Sequence, residues 1–128
     1  MSPFIGRLDD IMKNGMQLVE NIITMYRRGD NHAKVLAASV RSLDHVMECL
    51  RLGVEAMTLP FEKVFCPWSK RGFVLPGVAY DYSFGGEDIK YEDISLDKKW
   101  QEYDISHKLT DVGLRKFVDD WKSLIVSG

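Results

Sequence analysis

A hydroxyl and a guanidinium stand two residues apart in "KVLAASVRS" (34–42), where Ser39 and Arg41 follow an apolar run. A second guanidinium, Arg7, follows another apolar stretch in "SPFIGRLDD" (2–10). Guanidinium groups bind phosphate through paired charge-assisted hydrogen bonds, and a serine hydroxyl adds a donor. Such residues at the carboxyl ends of parallel strands predict a phosphate site, since α/β sheets bind ligands there. A helix-capping serine beside a surface arginine is the alternative.

Two helices are predicted around these residues. "MQLVENIITMYRR" (16–28) repeats apolar residues at helical spacing, and Gly29 provides a C-terminal stop. Ser42 can cap a second helix over "LDHVMECLRL" (43–52), which Gly53 ends. The segment 2–10 shows no helix start and is expected to be extended, with a turn at its arginine.

Two short apolar runs, "KVLAASV" (34–40) and "VEAMTLP" (54–60), are typical of strands buried on both faces. They alternate with the two helices along the chain. This order predicts βαβ units with right-handed crossovers, and therefore an α/β protein with a parallel sheet.

The remainder of the chain is less regular. "PFEKVFCPW" (60–68) predicts a short helix that Pro67 ends. Residues 68–106 are rich in glycine, aromatic and acidic residues, and are predicted to be an insertion. Thr110 is expected to cap a final amphipathic helix over 110–125.

Composition narrows the class of protein. The 128 residues are 45% hydrophobic and 28% charged with a net charge of -2, which is typical of one globular domain. Without a basic tract or a long apolar run, we expect neither nucleic-acid nor membrane binding. The amino terminus resembles no secretion signal, and Cys49 and Cys66 lack CxxC spacing. A cytoplasmic protein with reduced thiols is therefore expected.

Other chemistries have weaker support. His32, His45 and His107 are isolated in the sequence and are expected to be surface or capping residues, so no metal site is predicted. Gly85 and Gly86 lie in no nucleotide-binding motif, and no cofactor is predicted.

Four segments, in order and spacing, strongly resemble the carboxyl-terminal part of the transaldolase and fructose-6-phosphate aldolase family. They are "SPFIGRLDD", "KVLAASVRS", "EAMTLP" and "HKLTDVGLRKFVDDW". Family members are (β/α)₈ barrels that make and break carbon–carbon bonds in sugar phosphates through a Schiff-base lysine. The resemblance implies that this chain is a partial TIM (β/α)₈ barrel, the last two to three βα units.

The resemblance also implies roles for individual residues. Ser2 and Phe4 match positions that line the substrate pocket after the sixth strand, and Arg7 matches an arginine that binds substrate phosphate. Ser39 and Arg41 match the phosphate-binding motif after the seventh strand. This agrees with barrel enzymes in general, which commonly bind phosphate on loops after late strands.

The Schiff-base lysine and the acidic catalytic residue of the family lie on earlier strands, for which this sequence has no counterpart. No lysine present is a credible replacement; Lys34, for example, is expected at the opposite end of its strand. No catalytic residue is therefore assigned, and the chain is expected to be inactive alone. An open sheet also leaves exposed edges, which predicts a homo-oligomer, a complementary chain or rearranged packing supported by the insertion. Alternatives are a non-catalytic phosphate-binding or protein-interaction module and a structural or assembly piece.

Overall fold

A computed structural model of the protein describes residues 1–29, 32–95 and 97–126. Two compact units are present, Met1–Asp93 and Ile94–Gly128. Within the described residues, the first unit combines helices with a two-stranded parallel sheet. The predicted α/β class is confirmed in this unit.

The sheet pairs β1 (Leu36–Ala37) with β2 (Ala56–Met57) in parallel. Phe4 forms a parallel bridge with Ala38, directly after β1. The backbone groups of successive strand residues point to opposite edges of the strand. Ala38 pairs with the amino-terminal segment and Ala37 pairs with β2, so these two segments lie on opposite sides of β1. Both strands are shorter than expected, and burial on both faces is wrong for both, because Leu36 of β1 and Ala56 of β2 are exposed. Leu36 is 37% exposed, since the core lies on the opposite face of the strand.

The amino-terminal segment contains a helix that the sequence did not indicate. α1 (Ile5–Asp9) begins directly after Phe4 and has no side-chain cap at its start. The backbone instead bonds to the neighbouring strand, with the Ile5 N–H donating to the Ala38 carbonyl at 3.0 Å. A five-residue helix defined by such a non-local contact leaves no capping signal in the sequence.

α2 (Gly15–Arg28) confirms the predicted first long helix. Its amino-terminal cap is Asn14, whose side-chain oxygen accepts from the N–H groups of Met16 and Gln17 at 3.1 Å. This capping satisfies two N–H groups that a helix start leaves unpaired.

α3 (Leu43–Leu52) forms as its pattern predicts. The Ser42 hydroxyl accepts from the His45 N–H at 3.1 Å. Gly53 ends the helix in the left-handed region at φ 74°, which favours glycine.

A π-helical turn over Phe61–Phe65 continues into α4 (Cys66–Lys70). Pro67 does not end this helix as predicted. It lies in the first turn of α4, where a missing N–H removes no helical hydrogen bond.

Residues 71–93 contain little regular structure, but two asparagine side chains of α2 and its cap form hydrogen bonds with residues 88 and 89. Asn14 donates to Asp88 at 2.7 Å, and Asn21 donates to the Ile89 carbonyl at 2.6 Å. The ring of Tyr82 packs against the core. The first-unit core is apolar and consists of Ile5, Met16, Val19, Ile22, Val35, Ala37, Val40, Val46, Cys49, Leu52 and Val64.

The second unit contains a 3-10 turn (Trp100–Glu102) and α5 (Lys108–Val126). The predicted cap at Thr110 is wrong, because the helix already begins at Lys108. No helix in the described part of the chain is long and apolar enough to cross a membrane. Large apolar side chains of α5 are exposed, namely Val112, Leu114, Phe117, Val118, Trp121, Leu124 and Ile125.

Candidate functional site

The structure brings the two arginine-containing loops together. Arg7 lies on α1, one turn after the Phe4 bridge, while Ser39 and Arg41 follow β1 directly. The Gly6 N–H donates to the Ser39 carbonyl at 3.1 Å. Both loops therefore leave neighbouring parallel segments at the same end, as the sequence predicts for a ligand site.

Ser39 has a strained backbone, with φ at 59°. L-residues other than asparagine and aspartate rarely occupy this left-handed region, and such residues concentrate at functional sites. The conformation bends the chain away from β1 and directs the Ser39 carbonyl toward Gly6.

Arg41 forms a bidentate ion pair with Asp10. Its Nη2 lies 2.7 Å from Asp10 Oδ2, and its Nη1 contacts Oδ1. This hydrogen-bonded guanidinium lowers the pKa of the Asp10 carboxyl below its usual range. Both side chains are about half exposed, so solvent weakens the pair.

Arg7 extends over the ring of Phe4, with 5.2 Å from the guanidinium carbon to the ring centroid. Its charge adds to that of Arg41 in lowering the Asp10 pKa. Among the described residues, no carboxylate lies within ion-pair distance of Arg7. Asp10 is therefore an anionic group on which both predicted phosphate-binding arginines act.

Ser2 lies in the exposed extended segment beside β1, where the Met1 carbonyl accepts from Leu36 and the Pro3 carbonyl accepts from Ala38. Phe4 is 43% exposed. Within the described chain, no hydrogen bond joins the Ser2 hydroxyl to the arginines. The structure brings together the two segments that carry Phe4, Arg7, Ser39 and Arg41 through backbone contacts. The described residues show no direct contact between the Arg7 guanidinium, which lies over Phe4, and Arg41, which binds Asp10.

His45 and Asp9 complete the site, and sequence reasoning missed both. The prediction of a surface role for His45 is wrong, because the residue is only 7% exposed. The alternative of a capping role is not contradicted, since its side chain accepts a backbone N–H just before α3. Its Nε2 lies 3.0 Å from Asp9 Oδ2, and its Nδ1 accepts from the Arg41 N–H at 3.3 Å. The available signal was its helical spacing with Cys49 and Leu52, which are also buried.

The described residues contain no group of three His, Cys, Asp or Glu side chains that could hold a metal ion. A cavity of about 300 Å³ lies at another place in the first unit. Its polar lining is dominated by carboxylates, which repel a phosphate. Lining residues include Gln17, Glu20, Glu48, Arg51, Asp81 and Asp88.

Comparison with known proteins identifies the family of this chain. The family model for Transaldolase/Fructose-6-phosphate aldolase matches residues 1–127. The chain belongs to the transaldolase/fructose-6-phosphate aldolase family. It corresponds to the carboxyl-terminal part of the family sequence, and the family fold is a TIM barrel. The matched range includes residues 68–106.

Curated relatives of this transaldolase-family chain are named as probable transaldolases. One from Anaeromyxobacter sp. (strain Fw109-5) is 36% identical over 124 residues, which cover 97% of this chain and 40% of the relative. Those from Bacteroides thetaiotaomicron and Bacteroides fragilis are 34% and 35% identical over the same shares. The chain thus spans about 40% of the length of these relatives.

Proposed function

We propose that this chain forms the phosphate-binding side of a transaldolase-type site, built from the last two to three βα units of a (β/α)₈ barrel. Its substrate class is sugar phosphates, in aldol transfer or cleavage. Arg7, Ser39 and Arg41 bind the phosphate, while Ser2 and Phe4 line the sugar pocket.

The contact between the two loops carries this proposal. The Gly6 N–H donates to the Ser39 carbonyl at 3.1 Å, which fixes α1 against the loop that holds Arg41. Barrel enzymes commonly bind phosphate where loops after late strands meet. Arg41 binds the Asp10 carboxylate, and the charge of Arg7 also lowers the Asp10 pKa, so positive charge from both segments acts at this point and supports an anion site there.

Asp10 does not exhaust the donors of Arg41. A guanidinium offers five N–H groups, about two of which a bidentate carboxylate takes. The remaining N–H groups of Arg41, together with the guanidinium of Arg7, can bind phosphate oxygens. Asp10 thereby orients Arg41, and the phosphate binds beside it.

We further propose that the 128-residue chain alone is inactive, with the Schiff-base lysine supplied by polypeptide outside residues 1–128. The chain's own candidates are poorly placed for this chemistry. Lys13 pairs with Glu87, and Lys34 lies 3.7 Å from Glu55 with its side chain 72% exposed. A Schiff-base amine instead needs a pocket that keeps it neutral.

Calorimetric titration with inorganic phosphate tests the anion site. We expect Arg7→Ala and Arg41→Ala each to weaken binding about tenfold or more, because each removes charge-assisted hydrogen bonds. Arg71→Ala, at the exposed end of α4, is the matched control and should bind like the wild type. Equal affinity in all four proteins would contradict the proposed site.

Borohydride trapping tests the catalytic part. The chain is incubated with fructose 6-phosphate or dihydroxyacetone, reduced, and analysed by mass spectrometry. We expect no covalent adduct, because reduction traps only a lysine that has formed a Schiff base. An adduct confined to one lysine would show that the chain forms the Schiff base by itself, and would contradict this proposal.

We also propose association with a second copy or a complementary chain, which would cover exposed apolar side chains such as Trp121 and Leu124 of α5. Light scattering over a concentration series measures the mass. A purely monomeric chain at all concentrations would exclude self-association, and pull-down with the missing family segment would then test complementation.

A further inference from the structure

Arg41 is held at its side chain by Asp10 and at its backbone by His45, which in turn lies against Asp9. Asp10 binds its side chain through two hydrogen bonds. The backbone N–H of Arg41 donates to His45 Nδ1 at 3.3 Å, and His45 Nε2 lies 3.0 Å from Asp9. The second oxygen of Asp9 accepts from the Gly15 N–H at 3.1 Å, which fixes this carboxylate against the start of α2.

The two contacts of His45 define its protonation state. A nitrogen that accepts a hydrogen bond carries no proton, so Nδ1 must be bare when it binds the Arg41 N–H. The single proton of the neutral ring then lies on Nε2, which is 3.0 Å from Asp9 Oδ2. A second proton on Nδ1 would replace this acceptor with a donor that faces the Arg41 N–H.

We propose that His45 is a positioning residue for the anion site, which holds the Arg41 backbone only in its neutral form with the proton on Nε2. Protonation breaks this contact and weakens anion binding. This inference rests on the proposed function, because it assigns the anion site to Arg41.

The charged and titratable groups around the imidazole come from every neighbouring element. Asp9 faces it from α1, Arg41 from the preceding loop and Asp44 from its own helix. The ring of Tyr82, from residues 71–93, lies 6.2 Å away between centroids. Burial is the largest influence and lowers the His45 pKa below 6.5, although the two carboxylates oppose this shift. The neutral form therefore prevails at pH 7.5.

Sulfate binding between pH 5 and 7.5 tests the proposal. Sulfate remains a dianion over this range, whereas a phosphate monoester gains a proton near pH 6, at its second pKa of about 6. We expect wild-type affinity to fall on the order of fivefold as the imidazole becomes protonated below pH 6.5, which corresponds to one hydrogen bond. His107→Asn, in the second unit, should keep this dependence.

Two variants distinguish a role of His45 in positioning Arg41 from a general contribution of His45 to the stability of the fold. His45→Asn retains an acceptor near the Nδ1 position but cannot gain a proton, so its affinity should stay near the wild-type value at pH 7.5 throughout. His45→Ala has no acceptor, and we expect low affinity at every pH. A pH dependence that survives in His45→Ala would overturn the proposal.

The outcomes also separate this inference from the proposed function. If Arg41→Ala weakens sulfate binding but wild-type affinity does not follow the protonation of the His45 imidazole, the anion site stands and the role of His45 is overturned. If sulfate does not bind, or Arg41→Ala has no effect, both are overturned.

Long-range nitrogen–proton NMR of the wild-type chain supplies a measurement that needs no folded variant. At pH 7.5 we expect the His45 proton on Nε2, and the Arg41 amide shift to titrate together with the imidazole. A proton on Nδ1, or an Arg41 amide that does not respond, would overturn the proposal even if the His45 variants fail to fold.

Discussion

Gly6→Ala tests the close approach of the two loops. A methyl group at Gly6 would lie 2.5 Å from the Ser39 carbonyl oxygen and 2.7 Å from Arg41 Cδ, and would also contact Arg41 Nε. The carbonyl cannot move away cheaply, because it accepts the Gly6 N–H. Overpacking of this kind costs about 1–3 kcal/mol. Alanine has a higher helix propensity than glycine, which recovers about 1 kcal/mol within α1. If the clash costs about 3 kcal/mol, the upper end of that range, the free energy of unfolding falls by about 2 kcal/mol.

Urea unfolding followed by tryptophan fluorescence measures this change in the free energy of unfolding. Gly77→Ala is the matched control, since nothing lies within 4 Å of a methyl group built there. We expect the control to stay within about 0.5 kcal/mol of the wild type. Phosphate affinity of the Gly6→Ala protein should also fall, because Arg41 must move. A Gly6→Ala protein as stable as wild type, with unchanged affinity, would refute the described contact between α1 and Ser39.

Three further predictions follow from local geometry. Ser39→Gly should stabilise the fold by up to about 1 kcal/mol in urea unfolding while weakening phosphate binding, because glycine relieves the left-handed strain and removes the hydroxyl. Asn14→Ala should destabilise by about 1–2 kcal/mol in thermal unfolding, as the α2 cap is lost, and an unchanged Tm would exclude that capping role. Burial lowers the His45 pKa, so near this pKa the folded state binds fewer protons than the unfolded state. The contribution of His45 to the free energy of unfolding is therefore full above pH 6.5 and decreases as the pH falls toward the lowered pKa. His45→Asn should flatten this pH dependence.

The sequence predicted those parts of the fold that local patterns define. α2 and α3 follow apolar residues at helical spacing, and the Ser42 cap and Gly53 stop occur where their chemistry requires. The parallel pairing of β1 and β2 follows from the alternation of helices and strands. α1 could not be predicted this way, because its start depends on a bond to Ala38, over 30 residues away.

In the candidate site, too, residues indicated by local sequence were predicted, whereas roles set by tertiary contacts were not. Side-chain type and strand position indicated Arg7, Ser39 and Arg41, and the structure brings their loops together. The adjacent Asp9 and Asp10 gave no sign of their separate roles, because one turns to a buried histidine and the other to an arginine. Such a division depends on tertiary packing, which periodicity does not encode.

The side-chain anchors of residues 71–93 affect how the chain folds. The Asn14–Asp88 and Asn21–Ile89 bonds join positions 74 and 68 residues apart, so each requires the closure of a long loop. Contacts between residues so far apart in the sequence slow folding. During synthesis, the start of α2 cannot gain these anchors until residue 89 has left the ribosome. The start of α2, although synthesised before residues 71–93, is therefore among the last parts of the first unit to acquire its native surroundings.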